Sequence, residues 1–160
     1  MAQDIFIKIA GVTGEARDAS HKDEIDVLRW QWAVSQSSNM HSGSGGGAGK
    51  ATVYDLSFDH YCDRASSPLL SYCLTGKHIQ EVVLTLRKAG GDPLEYLRIT
   101  LEDAIITHVK SAMNLNMGIP RENISLSFSR VKYEYTLQNA DGQPAGTVSM
   151  GYNIKANCNI

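Results

Sequence analysis

LEYLRITLEDAIITHV, residues 94–109, decides the class of the fold. Its odd positions Leu97, Ile99, Leu101, Ile105, Thr107 and Val109 carry an apolar face, interrupted by Asp103. A two-residue period of this kind describes a strand with one face packed and the other wet. The same period recurs outward in both directions. Upstream, Val82, Leu84 and Leu86 repeat it, as do Tyr54, Leu56 and Phe58, and Ile5, Ile7 and Ile9. Leu28, Trp30, Trp32 and Val34 alternate with Arg29, Gln31, Ala33 and Ser35. Downstream, Val148, Met150, Tyr152 and Ile154 alternate with Ser149, Gly151, Asn153 and Lys155.

Residues 124–135 change phase. Ile124, Leu126 and Phe128 lie on even numbers, Val131, Tyr133 and Tyr135 on odd ones, which a β-bulge or a sharp bend produces. Long bent strands suit a closed or nearly closed barrel. Ser66-Ser67-Pro68 and Gly76 bracket one short helix, with Leu69, Leu70, Cys73 and Leu74 at helical spacing on a face that can pack against the barrel. Turn signals fall at Gly90–Pro93, Asn116–Arg121 and Asp141-Gly142. The expected architecture is mainly β: a two-sheet β-barrel with one short α-helix on its side and a long protruding Gly-rich inter-strand loop, one domain over residues 1–160.

Composition narrows the function. The 160 residues are 42% hydrophobic and 20% charged with a formal net charge of −2, and the basic residues are scattered, so no nucleic acid is expected as a partner. Three cysteines, Cys62, Cys73 and Cys158, form no CxxC pair and fit a reducing compartment. MAQDIFIKIAGVTGE lacks the basic start and apolar run of a signal peptide, and no apolar run approaches a membrane helix, so neither amino-terminal export nor membrane insertion is expected.

HSGSGGGAGKAT, residues 41–52, resembles a phosphate loop at first sight. A Walker motif needs glycine where Ser44 stands and Ser or Thr where Ala51 stands. It also needs a following helix whose N-terminus faces the phosphate, whereas Thr52–Tyr61 alternates like a strand. The loop therefore reads as a long hairpin connection from about Ser37 to Lys50. His60 and Cys62 lie two apart on one strand, but no second pair completes a zinc site. No GxSxG elbow is present, and none of His21, His41, His60, His78 or His108 has a carboxylate companion at a telling spacing. Glu102 and Asp103 point to opposite faces of a strand. No catalytic, cofactor-binding or metal residue is expected, and Trp30 and Trp32 read as core packing, with Cys73 as a small buried hydrophobe.

Several segments together resemble the Hcp (hemolysin-coregulated protein) family of type VI secretion tube proteins. They are DIFIKIAGVTGEARDASHKDEIDVLRWQW, SQSSNMHSGSGGGAGK, VYDLSFDHYCD, TGKH at Thr75–His78, and LTLRKAGGDPLEYLRITLEDAIITHV. The resemblance runs in order over nearly the whole chain, with Met113–Arg121 the stretch that departs from it. It implies a barrel of two sheets with a helix on its side, assembling as a homo-hexamer whose rings stack into a hollow tube. Its implied partners are the VgrG spike protein, contractile sheath and baseplate components, and effector proteins carried in the lumen. It further implies a protein that is cytoplasmic before firing and then secreted, through its own machine, into the medium or a target cell. Within that frame Met40, Ser42, Gly45, Gly46, Gly47 and Lys50 are expected to form a ring-stacking loop, and Arg29 and Gln31 to face the lumen. The rival readings are a monomeric β-barrel that binds a small ligand in its interior and a hydrolase with an unrecognised site.

Overall fold

The computed structural model describes residues 3–41, 47, 49–90, 92–116 and 118–160. The chain opens with β1 (Gln3–Ile9), β2 (Ile25–Asp26), β3 (Arg29–Gln31), β4 (Val34–Ser35), β5 (Thr52–Val53) and β6 (Leu56–Tyr61). After α1 (Ser66–Thr75) come β7 (Ile79–Lys88), β8 (Leu94–Ala112), β9 (Arg121–Gln138), β10 (Pro144–Asn153) and β11 (Cys158–Asn159). Among the described residues nine strands form one antiparallel sheet, with the path β11-β10-β9-β8-β7-β1-β2, and β4 and β5 form a separate two-stranded sheet. The long strand β9 divides one of its edges: its first half pairs with β6 and its second half with β10. β3 in turn pairs with β6.

Residues 25–31 carry the chain from β1 to β6, which pairs with β9, and so bring the β1 and β9 sides of the sheet round a common core. Ile25 pairs with Ile7, and the Val27 amide donates to the Ile5 carbonyl at 2.9 Å. One residue later the Leu28 amide donates to the Asp59 carbonyl at 2.8 Å, and Arg29 pairs with Asp59. The segment thus changes partner from β1 to β6 in mid-course. The enclosed core is aliphatic, built on Ile7, Ile9, Ile25, Leu56, Phe58, Leu84, Ile99, Leu101, Ile124 and Leu126, all 2% exposed or less.

The phase change expected in β9 is a corner shared by three strands. In β7 the buried positions pass from Ile79 to Val82, in β8 from Ala104 to Leu101, and in β9 from Phe128 to Val131. Those residues face each other across the ladder, so the sheet turns as a unit and the register of β8 on β9 continues from Glu102↔Arg130 to Ala104↔Phe128. Asp103 sits at the corner with φ +54°. Its carboxylate accepts hydrogen bonds from Ser129 Oγ (2.8 Å) and Lys155 Nζ (3.2 Å) and lies 3.0 Å from His78 Nδ1. Hydrogen bonds to His78, Ser129 and Lys155 hold the Asp103 carboxyl well below the usual carboxylate range. The expected run of odd positions therefore ends at Leu101. Beyond it Ala104 and Ile106 are buried, Ile105 and Val109 are half-buried and Thr107 is exposed. The irregularity in the pairing of β8 with β9 lies further on, between Ile106 and His108.

α1 packs on β8 through Leu69, which is fully buried, and Gly76 ends it in the left-handed region at φ +65°. Two expectations change. The Ser66-Ser67 hydroxyls do not cap the helix; Asp63 orders the entry instead, accepting the Ala65 amide on Oδ1 (2.8 Å) and the Ser66 amide on its carbonyl (3.0 Å). Leu70 and Leu74 do not pack inward but stand 49% and 79% exposed.

A charged cluster ties the 10–24 segment to the barrel. Arg87 on β7 is nearly buried and donates Nη1 and Nη2 to the two carboxylate oxygens of Asp18 (3.0 and 2.6 Å), while Nη2 also reaches Asp4 (2.9 Å). Its guanidinium lies over the Phe6 ring, which stacks on His21 at 4.4 Å. His21 places Nδ1 2.9 Å from Glu24 and Nε2 2.6 Å from Glu95. The hydrogen bond from Arg87 lowers the Asp18 pKa from 3.8 to about 2. A carboxyl depressed in the folded state stabilises fully above its unfolded pKa and loses that contribution as pH falls through the folded value. Arg87→Met is therefore expected to destabilise the protein at pH 6, with the gap to wild type closing between pH 3.8 and about 2 in urea unfolding series. A gap that stays constant across that window would mean the pair contributes nothing through its charge.

Candidate functional site: a polar sheet face and an apolar ridge

The register of four strands places one row of polar side chains side by side. Arg29 on β3 faces Asp59 on β6, Asp59 faces Asn123 on β9, and Asn123 faces Lys110 on β8. The next row on the same face is Gln31, Ser57, Ser125 and His108. Alternation sends the intervening residues Trp30, Phe58, Ile124 and Val109 to the core side.

Asp59 organises this face. It is 5% exposed, and its Oδ2 accepts Arg29 Nε (2.7 Å) and Arg121 Nε and Nη2 (3.2 and 2.9 Å), while Oδ1 accepts Asn123 Nδ2 (2.6 Å). Burial alone pushes this carboxyl up, but the hydrogen bonds from Asn123, Arg121 and Arg29 together hold it below the usual range. This covering explains why β6 departs from the expected alternation. Leu56 to His60 are all buried, because the face that reads as wet is roofed by Arg29, Arg121 and Asn123. The residues left open on that roof are Arg29 and Gln31, the pair expected to face a lumen, and both are exposed.

Trp30 and Trp32 are half-buried against the core, with the Trp32 indole donating to the Tyr54 carbonyl at 2.9 Å and meeting Phe128 edge-on. Their expected neighbours on that face do not follow them inward: Leu28 is 38% and Val34 52% exposed. Cys73 is half-buried against the core, and Cys62 and Cys158 are exposed. His60 is fully buried while Cys62 lies past the end of β6, so the two do not share an environment.

Three histidines do have carboxylate companions, contrary to the reading of their spacing. His21 meets Glu24 and Glu95, His78 meets Asp103, and His60 Nε2 lies 3.0 Å from Glu122 Oε1 without the alignment of a hydrogen bond. Two of the partners lie 74 and 25 residues away in sequence, where spacing carries no signal.

The glycine loop leaves the barrel as a paired arm. β4 and β5 align Val34 with Val53 and Ser35 with Thr52. Beyond them the Gly49 amide donates to the Ser37 carbonyl (3.2 Å) and the Asn39 amide to the Gly47 carbonyl (3.3 Å). The Asn39 side-chain oxygen accepts the Gly47 amide at 2.6 Å. A Cβ on Gly49 would meet Ser37 Oγ, so a side chain there would turn the Ser37 hydroxyl aside. Met40 is 69% exposed and Lys50 is exposed, while Ser42, Gly45 and Gly46 lie outside the described residues. The loop runs on into a strand, β5.

At the other end of the barrel sheet, β10 keeps the expected alternation but shows its apolar side to water. Val148 pairs with Tyr135 and Met150 with Tyr133 across the ladder. Val148, Met150, Tyr135 and Leu137 are 63%, 46%, 44% and 42% exposed. Single exposed apolar residues are ordinary, whereas Val148 and Met150 stand beside Tyr135 and Tyr133 on paired strands. Among the described residues no group of three or more His, Cys, Asp or Glu side chains is placed to hold a metal ion, and no helix is long and apolar enough to cross a membrane.

Known proteins share this fold. A family model described as "Type VI secretion system effector, Hcp" matches residues 6–135. The chain is 46% identical over 159 residues to Protein hcp1 of Pseudomonas aeruginosa, covering 98% of each. The crystal structure of Hcp1 from Salmonella typhimurium superposes with a TM-score of 0.81 at 45% identity over 100% of both chains. That of a type VI secretion system effector from Yersinia pestis gives 0.78 at 45%, over 94% of this chain and 99% of that one.

Proposed function

The chain belongs to the Hcp family of type VI secretion proteins, and from that premise we propose that it is a structural subunit whose copies close into six-membered rings and stack into a hollow tube. The observation that carries this is the ridge of Tyr135, Leu137, Val148 and Met150 on an otherwise finished barrel. A β-hairpin that preserves alternation yet leaves its apolar side wet requires a second chain to cover it. Leu70 and Leu74 on α1 supply a second apolar patch, unlike the first. Two different patches on one subunit suit head-to-tail contacts, which generate rings when the rotation closes.

In this reading the Arg29 and Gln31 face lines the lumen, since polar side chains on a stiff sheet keep a channel wet. The paired arm, with Met40 and Gly47 near its tip and Lys50 at its base, reaches the neighbouring ring. Ser42, Gly45 and Gly46 belong to the same contact. The tube is made in the cytoplasm and is expelled with its VgrG spike by the sheath and baseplate, with effectors riding in the lumen. The protein performs no chemistry of its own.

Val148→Glu tests the ridge. Burying an unpaired carboxylate in an apolar contact is costly, so the variant is expected to run as a monomer with an unchanged far-UV spectrum and to be missing from the medium of cells whose sheath is intact. Full-size rings from this variant would remove the ridge from the contact.

A further inference from the structure

We propose that the cleft at the edge of the polar face is an oxyanion site that takes the carboxylates of an acidic protein segment. The cleft measures about 530 Å³ and is bordered by Arg29, Asp59, His108, Lys110, Arg121 and Asn123. Asp59 fixes both guanidinium groups through their Nε atoms and one Nη of Arg121. That leaves both Nη groups of Arg29 and Nη1 of Arg121 with no partner in the chain among the described residues, on side chains 72% and 39% exposed. A guanidinium already anchored at one edge presents its remaining N–H donors in a fixed fork, so little side-chain entropy is lost when a carboxylate accepts them.

The balance of charge favours an anion. Arg29, Arg121 and Lys110 bring three cations to the cleft. Against them stand Asp59, whose two oxygens are already occupied, and Glu122, which also borders the cleft. Glu122 is 6% exposed and turned toward Ser66 Oγ and His60, so it screens the cleft little. His108 and Lys110 are exposed on the β8 side and continue the basic edge away from the two arginines. An edge that spans three strands suits several carboxylates along an extended segment better than one small ion.

The inference rests on the ring reading in one respect: the acidic segment belongs to cargo held in the lumen. Its test keeps the two apart. Purified wild-type protein, with its mass measured by light scattering in the same buffer, is titrated into a fluorescein-labelled peptide of alternating Asp, Glu and Gly. The same peptide with Asn and Gln, and inorganic phosphate as competitor, are run beside it. The acidic peptide is expected to bind, with affinity falling steeply as salt rises, and the amide peptide to bind at least about tenfold more weakly. Arg29→Lys keeps the charge but loses the fork and should weaken binding several-fold. Lys110→Glu, on the exposed rim and away from Asp59, should weaken it by about tenfold while leaving the fold intact. Equal binding of the two peptides, no binding by full-mass rings, or binding of phosphate alone would each overturn the proposal. Acidic-peptide binding by a monomer, lost in Lys110→Glu, would sustain the cleft while removing the ring.

Discussion

Asp59→Ala is expected to cost about 1–3 kcal/mol of folding stability, the range for losing a buried charged acceptor whose donors can still reach water. The size follows from what the carboxylate holds. Four side-chain hydrogen bonds from Arg29, Arg121 and Asn123 end on it, and it is 5% exposed, so its loss leaves two guanidinium groups facing each other with nothing between them. Asp59 also sits where residues 25–31 change partner from β1 to β6, so the weakened point is the seam of the barrel. Asp59→Asn keeps the shape and one of the two acceptor oxygens and should cost less than Asp59→Ala. Because the folded carboxyl is held below its ordinary value of 3.8, its contribution is full above that pH and is lost as pH falls further. Urea unfolding of the three proteins at pH 6 and pH 3 checks both statements. An Asp59→Ala cost under 1 kcal/mol at pH 6 would show that the arginines find other partners.

Deleting residues 42–49 is expected to leave single rings intact and to abolish tube growth and export. Among the described residues β4 and β5 form their own two-stranded sheet, and the limbs pair with each other at Ser37–Gly49 and Asn39–Gly47. Gly47 and Gly49 are exposed, and shortening a loop costs little, so the cost to folding should be small. What it removes is the reach to a second ring. Electron micrographs of the deleted protein should show hollow discs and no stacks, and the culture medium should contain none of it. Loss of the discs themselves would place the arm in the lateral contact instead.

The sheet was legible in the sequence wherever one face is packed by the chain itself. Leu97, Ile99 and Leu101, or Val82, Leu84 and Leu86, alternate because each strand settles its own burial. The corner at Asp103 was not legible in β8, since a bend that carries three strands together leaves no insertion to detect, and an aspartate at φ +54° looks like an interruption of the pattern. β10 misled in the opposite sense. Val148 and Met150 alternate as a packed face does, and the barrel offers nothing to pack them. The polar site depends on residues 92 positions apart: Arg29 and Arg121 converge on Asp59 only because β6 lies between β3 and β9. Sequence marked Arg29 and Gln31 as the wet side of a strand, and Arg121 fell in the stretch where resemblance was weakest. The absence of a helix after Lys50 was readable directly from Thr52 onward, and β5 stands there.

The most direct test of the central claim is the mass of the purified protein in solution by size exclusion with light scattering. The account predicts a particle near six subunits of 17.5 kDa, or whole multiples of it as rings stack, at concentrations where Val148→Glu elutes as a single subunit. A wild-type protein that remains a strict monomer over that same range would contradict it.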